Sequence, residues 1–231
     1  MDVLWEGLRD ALGLLLGGDA ETYEILWRSL RISLAATAIA FCLGVPLGAL
    51  LAFARFPGRR AAYATINTGM GMPPVVVGLV VTVILWRSGP LGGLGLLYTP
   101  TAMVIAQAAI ALPLVAGISA AALQHVDPDF RVQMEALGAT PARALWSVAV
   151  EARLPLLAAV MAGFGAVISE VGAATMVGGN IEGDTRVLTT AAVLATSRGD
   201  FALAIAFGLI LIAIAFAVNV VLTFAQHWGR G

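Results

Sequence analysis

Lysine is absent from this sequence of 231 residues, in which all 13 basic side chains are arginine. That absence excludes a G-x-x-x-x-G-K-[ST] phosphate loop, a Schiff-base lysine and a lysine general base. Cysteine is nearly absent as well. The single one, Cys42, lies inside an apolar run, which leaves neither a disulfide framework nor a cysteine-based zinc site. The two histidines, His125 and His227, have no partner at ligand spacing, so the sequence nominates no metal site and no catalytic residue. Charge is scarce too. Charged residues make up 12% of the chain, and 13 basic groups against 14 acidic ones give a net charge of −1. Nucleic acid as a partner is excluded on that balance. What fills the chain is apolar: 60% of residues are hydrophobic and the mean hydropathy is +0.93. A soluble domain is about 45–50% apolar and about 25% charged. This composition cannot coat a water-soluble globule and points to one membrane domain.

A helix crosses the ~30 Å hydrocarbon layer with about 20 mostly apolar residues. Uncharged runs at 32–54, 61–86, 88–124, 154–169 and 201–226 predict an all-α membrane protein with five spans. The spans are placed at about 30–54, 61–86, 101–124, 154–174 and 201–226. The third run opens as a Gly/Pro loop, and the fourth span needs continuation past Glu170. Residues 1–27 read as a separate amphipathic segment lying on the interface, with Trp5, Leu8, Leu12 and Leu15 at helical spacing. An unstructured arm is the alternative. Residues 28–231 form the single transmembrane domain.

Short cytoplasmic links are enriched in positive charge. The link RFPGRR, with Arg55, Arg59 and Arg60, therefore belongs inside. Five spans then put the N-terminus outside and the C-terminus in the cytoplasm. Arg131, Arg143, Arg153 and Arg230 join it there, giving seven arginines inside against six outside.

Polar and helix-breaking residues inside a bilayer are costly and mark a pathway or a helix interface. The second span carries Asn67, Thr68, Gly69 and Gly71 ahead of Pro73 and Pro74. A break there either presents N–H groups to a passing anion or is a packing kink. Gln107, Ser119 and Ser169 add neutral donors, of which Asn67, Thr68 and Ser169 are the candidates for lining a path; each can instead be an interhelical hydrogen bond. Glu170 is the one acid within a span and calls for a partner, with Arg186 and Arg198 in reach of the same end. The Gly-rich stretch holding Gly178, Gly179, Asn180 and Arg186 lies at the outer mouth, where a carrier protein would dock. A following run, VLTTAAVLATS, is helical but too short to cross.

The inner link, 125–153, reads as helix, glycine, helix. Asp127 before Pro128 starts the first, Gly138 ends it, and Thr140 caps the second with Pro141 at its first position. A plain connector needs only a handful of residues. This surface is built for docking, and Ala136, Gly138, Ala139 and Ala142 permit close approach.

Ala136, Leu137, Gly138, Ala139 and Thr140 on such a loop resemble the loop signature of permease subunits of ATP-binding-cassette (ABC) importers. In this sequence Val132, Gln133 and Met134 stand where that signature begins Glu-Ala-Ala, and Leu154-Pro155 closes it about one turn late. The stretches 67–81, 88–107 and 163–181 are similar to permeases of tungstate importers, relatives of the molybdate and sulfate systems. The resemblance implies the five-helix MetI-like fold of type I importers, with a coupling helix on the inner loop. Ala136 to Thr140, with Pro141, Ala142 and Arg143, would seat in the ATPase subunit. It implies a homodimer in a bacterial or archaeal inner membrane, two ATPase subunits and an extracytoplasmic binding protein. No cofactor is bound by this chain; ATP and Mg belong to the ATPases. Molybdate, sulfate or another small solute are alternative cargoes. A channel or secondary transporter working without an ATPase is the alternative of another class, against which stand a single intramembrane acid and the lack of an internal repeat.

Overall fold

The computed structural model describes residues 2–227; Met1 and residues 228–231, Arg230 among them, lie outside the described residues. Among the described residues all regular structure is helical. Helix α1 (Asp2–Leu16) leads by a glycine turn into α2 (Ala20–Phe53). Asp19 caps α2 by accepting the Thr22 N–H at 2.8 Å. Hydrogen bonds from the Thr22 side chain and then its N–H hold the Asp19 carboxyl below its usual value. The cap's contribution is therefore present above the ordinary carboxylate pKa and is lost as pH falls through the lowered one.

Next come α3 (Arg59–Met70) and α4 (Pro74–Leu85), then a single 3-10 turn (Gly92–Leu94) and α5 (Pro100–Gln124). The inner link supplies α6 (Pro128–Ala136) and α7 (Pro141–Glu151). The chain closes with α8 (Arg153–Ile168), α9 (Gly172–Gly178), α10 (Leu188–Ser197) and α11 (Phe201–His227). Three helices, α2, α5 and α11, are long and apolar enough to cross a membrane alone. Two bent pairs, α3–α4 at 105° and α7–α8 at 68°, bring the number to five.

α5 is the axis of the bundle. Ala102, Met103, Ala106, Ala111, Val115 and Ala116 on it are wholly buried, and α2, α3, α4, α8 and α9 all pack on it. Its tightest partner is α2, where Gly44 and Gly48 fall one turn apart. A Cβ at Gly48 would stand 2.8 Å from the Ala116 carbonyl oxygen and 2.9 Å from the Ala120 nitrogen. Only a hydrogen fits between these backbones. Gly163 of α8 instead makes room for a side chain, its Cβ position lying 2.9 Å from Val115 Cγ2.

Three boundaries differ from the sequence reading. α2 begins at Ala20, not near residue 30, because nothing between Glu21 and Arg31 breaks a helix. Residues 20–27 therefore belong to the first long helix, not to the amphipathic segment. That segment is α1 alone, and it is helical with one face packed on α11. Gly7 rests on Ile205 and Ala202 of α11, and Ala11 joins Phe207 and Ile210, while Trp5 and Leu12 stay exposed. The fourth span stops at Ile168, turns, and resumes as α9.

Because the Gly48 contact is with backbone atoms, a larger side chain there forces α2 away from α5. Gly48→Leu is expected to destabilise the bundle by about 1–3 kcal/mol, read as a lower melting temperature in detergent. Gly165 has nothing within 4 Å of its Cβ position, so Gly165→Ala is expected to leave melting unchanged or slightly raised.

Candidate functional site

The break between α3 and α4 lies where the sequence placed it, but its backbone is closed. Gly71 N–H donates to the Thr68 carbonyl at 3.1 Å and Met72 N–H to that of Gly69 at 3.3 Å. Val76 N–H takes the Pro73 carbonyl at 2.9 Å. The N–H groups around Gly69 to Gly71, expected as donors to an anion, are thus consumed by the turn that ends α3. Gly69 serves packing: its Cβ position is 2.8 Å from the Pro113 ring.

The donors that remain are side chains. Asn67 and Thr68 are exposed on α3, and their side chains have no hydrogen-bond partner among the described residues. Ile66 and Met70, on the opposite side, face Gly117 of α5. α3 therefore presents a stripe of small and polar residues away from the bundle, including Ala61, Ala64, Asn67 and Thr68, all exposed. Gln107 and Ser119 are enclosed within the bundle. Both are buried, and Ser33 donates to Gln107 Oε1 at 3.4 Å across α2 and α5.

Ser169 ends α8. Its side chain is exposed, with the hydroxyl donating to the Gly165 carbonyl at 2.8 Å. The next residue corrects an expectation. Glu170 does not pair with Arg186. Its Oε1 accepts the Ala173 N–H at 2.9 Å, fixing the first turn of α9, and its carbonyl accepts the Thr189 hydroxyl at 2.9 Å. A local N–H three residues on satisfies the acid more cheaply than a distant guanidinium. Arg186 instead lies between Glu21 at 3.3 Å and Glu182 at 3.2 Å.

α9 and α4 pack backbone to backbone. The Cβ position of Gly78 is 2.6 Å from Ala173 Cα, and that of Gly172 is 2.5 Å from Val75 Cγ2. The second helix of the first bent pair thus meets the short helix that continues the chain after α8.

The outer loop is more structural than the sequence suggested. Gly178 is buried with its Cβ position 2.8 Å from Met103 Sδ. Thr185 Oγ1 donates to the Gly178 carbonyl at 2.5 Å and accepts the Ile181 N–H at 2.9 Å, tying the loop back on itself. Gly179 turns left-handed against Tyr98, and Asn180 is half-buried with its Oδ1 unpartnered. The Arg186 side chain is only 12% exposed. The exposed tip is Ile181 to Asp184, within the stretch expected to dock a carrier but between the residues singled out in it. Arg28 was missed. Its guanidinium holds the carbonyls of Arg186 at 3.0 Å and Gly183 at 2.7 Å. Its place one turn after Glu24 on a continuing helix was the available signal.

At the opposite end, the inner link folds as expected. Asp127 accepts the Asp129 N–H at 2.9 Å, Gly138 turns at φ +88°, and Thr140 caps α7 through the Arg143 N–H at 3.4 Å. Ala136, Leu137, Gly138, Thr140, Pro141, Ala142 and Arg143 are all exposed and Ala139 half-buried. Leu137 is 80% exposed. Among the described residues no cluster of His, Cys, Asp or Glu is fit to hold a metal.

Glu170→Ala removes the hydrogen bond that starts α9 and is expected to cost about 0.5–2 kcal/mol, measured by thermal unfolding in detergent. Glu170→Gln keeps an acceptor and is expected to fall close to wild type. If the glutamine variant is as unstable as the alanine one, charge rather than capping is what the fold needs.

The family model for the binding-protein-dependent transport system inner membrane component matches residues 44–228. The chain is 40% identical over 227 residues to the tungstate uptake system permease protein TupB of Peptoclostridium acidaminophilum, covering 98% of this chain and 100% of that protein. It is 42% identical over 196 residues to a probable anion ABC transporter permease protein of Haloferax volcanii, covering 83% and 84%. In fold it is similar to a chain of the inward-facing MetNI methionine ABC transporter, with a TM-score of 0.71 at 19% identity over 87% of this chain and 93% of that one. The chain belongs to the binding-protein-dependent transport system inner membrane component family, as a multi-pass inner-membrane permease.

Proposed function

We propose that this chain is the membrane-spanning subunit of an ABC importer for an oxyanion, tungstate in the first place. The anion is delivered by an extracytoplasmic binding protein. Two such chains form a homodimer, and two separate ATPase subunits bind ATP and Mg and supply the energy. The N-terminus faces outside and the C-terminus the cytoplasm, so that the arginine-rich α2–α3 link and the α6–α7 elbow face the ATPases.

One observation carries the reading. The elbow from Ala136 to Arg143 stands exposed at the end of the bundle, in a chain that has no lysine for a phosphate loop of its own. The cargo class is supported by the names of the relatives at 40% and 42% identity. It is supported also by the stripe on α3, whose donors are neutral. A dianion held by buried fixed charge would leave slowly, whereas amide and hydroxyl groups bind it weakly enough for passage. Asn67 and Thr68 are the donors assigned to the path, with the exposed Ser169 beside it although its hydroxyl proton is held by the Gly165 carbonyl, and the exposed tip 181–184 is assigned to the binding protein. ATP-driven closure of the ATPases moves the elbow, tilts α8 and alternates the path between its two openings.

The test is reconstitution of the permease with its ATPase and binding protein in vesicles, with tungstate uptake and ATP hydrolysis measured together. Molybdate and sulfate as competitors rank the cargoes. Gly138 has a left-handed backbone with open space about it, so Gly138→Val strains the turn by about 1–2 kcal/mol without an internal clash. This variant is expected to lose the stimulation of ATP hydrolysis by loaded binding protein. Unaltered stimulation would show that the elbow does not couple the subunits.

A further inference from the structure

The link between α2 and α3 holds three arginines, and they are not equivalent. Arg59 is committed to the fold. Its Nε donates to the Leu51 carbonyl at 2.8 Å and its Nη2 to that of Ala52 at 3.1 Å, closing the end of α2. Its guanidinium also lies 5.5 Å from the centre of the Tyr63 ring. Arg55 and Arg60 are exposed and donate to no group and pair with no acid among the described residues. With Phe56, Gly58 and Arg59 they line an open cavity of about 400 Å³ that no acid borders. The nearby Arg131 is already paired, with Glu135 at 3.0 Å.

Two free guanidinium groups on one cavity present planar pairs of donors, the geometry that matches a tetrahedral oxyanion. Their place along α3 gives the site a use. At 3.6 residues per turn, Arg60, Ala64, Asn67 and Gly71 fall within about 60° of one another on the helix, and Arg60 lies about 10 Å along the axis from Asn67. All four are exposed. Arg60 is thus the inner end of the same stripe whose middle carries Asn67 and Thr68.

We infer that Arg55 and Arg60 form an oxyanion site at the inner mouth of the path, which receives the cargo as it leaves the neutral donors of α3. The inference rests on the reading of the chain as an oxyanion permease with this link inside. Both guanidiniums are solvated, so their attraction for a dianion is screened. Such a site draws the ion out without trapping it, as rings of arginine do in anion pores.

The test is the double variant Arg55→Gln with Arg60→Gln in the assembled permease–ATPase complex, with tungstate as the probe. Equilibrium binding without binding protein is expected to weaken about tenfold or more, the loss of one to two charge-assisted hydrogen bonds. Uptake in vesicles is expected to fall severalfold, equally in phosphatidylcholine alone and with phosphatidylglycerol added. A loss confined to vesicles containing phosphatidylglycerol would overturn the inference in favour of a lipid phosphate. Equal binding by wild type and variant would overturn it outright. Melting of the complex is expected to match wild type, since Arg59 is left in place; if the double variant does not assemble, each single variant carries the same binding test. A wild-type complex that takes up no tungstate removes the proposed function, a result distinct from equal binding by the two proteins.

Discussion

Apolar side chains gain nothing from leaving lipid for one another, so helices in a bilayer cohere where their backbones can touch. Everything in this bundle depends on that constraint. The approach of α2 to α5 at Gly48, with no room for a Cβ beside Ala116 and Ala120, joins two of its long helices backbone to backbone. The wholly buried residues of α5 are mostly alanine for the same reason. The large side chains point the other way: Leu43, Leu50, Val83, Phe216 and Phe224 are exposed. On a soluble protein that distribution would be a defect. In a membrane, large residues meet lipid or a second subunit while small ones set the spacing of the helices.

The same constraint explains why two spans are broken without leaving backbone groups bare. An unpaired N–H in hydrocarbon costs several kcal/mol, of order 4–8 by transfer to alkane. Each break therefore carries its own acceptors. At the first, the carbonyls of Thr68, Gly69 and Pro73 take the N–H groups on either side. At the second, the Glu170 side chain takes the Ala173 N–H. Helices α4 and α9 then meet at Gly78 and Gly172 more closely than side-chain packing allows. They form one unit, joined to α3 and α8 by turns of three residues. Such a unit can change its angle at the turns while every backbone bond inside the helices stays made.

The features legible in the sequence were those with local causes. α5 follows from apolar length, and the inner elbow from Thr140 as a cap with Pro141 behind it; that Thr99 caps α5 ahead of Pro100 only the structure shows. The elbow's turn follows from Gly138, which takes a backbone conformation that other residues resist. What stayed hidden depended on distance or on competition between partners. Glu170 had two distant arginines within reach on paper and a local N–H that only the turn reveals. Arg186 found Glu182 one turn away and Glu21 far back in the chain. The start of α2 was misplaced because Glu21, Glu24, Arg28 and Arg31 look like the end of a membrane run. A helix needs no apolar residues to continue, only the lack of a breaker, and Arg28 is held in place by loop carbonyls that no sequence window contains.

The inner and outer ends of α8 are built to opposite specifications. At the inner end a single residue, Ala152, separates α7 from α8, and it is 2% exposed among Ala122, Leu123, Val148 and Leu156. A corner buried against the end of α5 is stiff, because closing or opening it would unpack those side chains. At the outer end the helix finishes at Ser169 in a turn secured mainly by hydrogen bonds. That turn runs through Ser169 to Val171, where buried Glu170 accepts the Ala173 N–H and the Thr189 hydroxyl. That is also where α8 hands over to the α4–α9 unit. The two ends of α8 thus differ in what holds them: packed side chains around Ala152 at one, hydrogen bonds about Glu170 at the other.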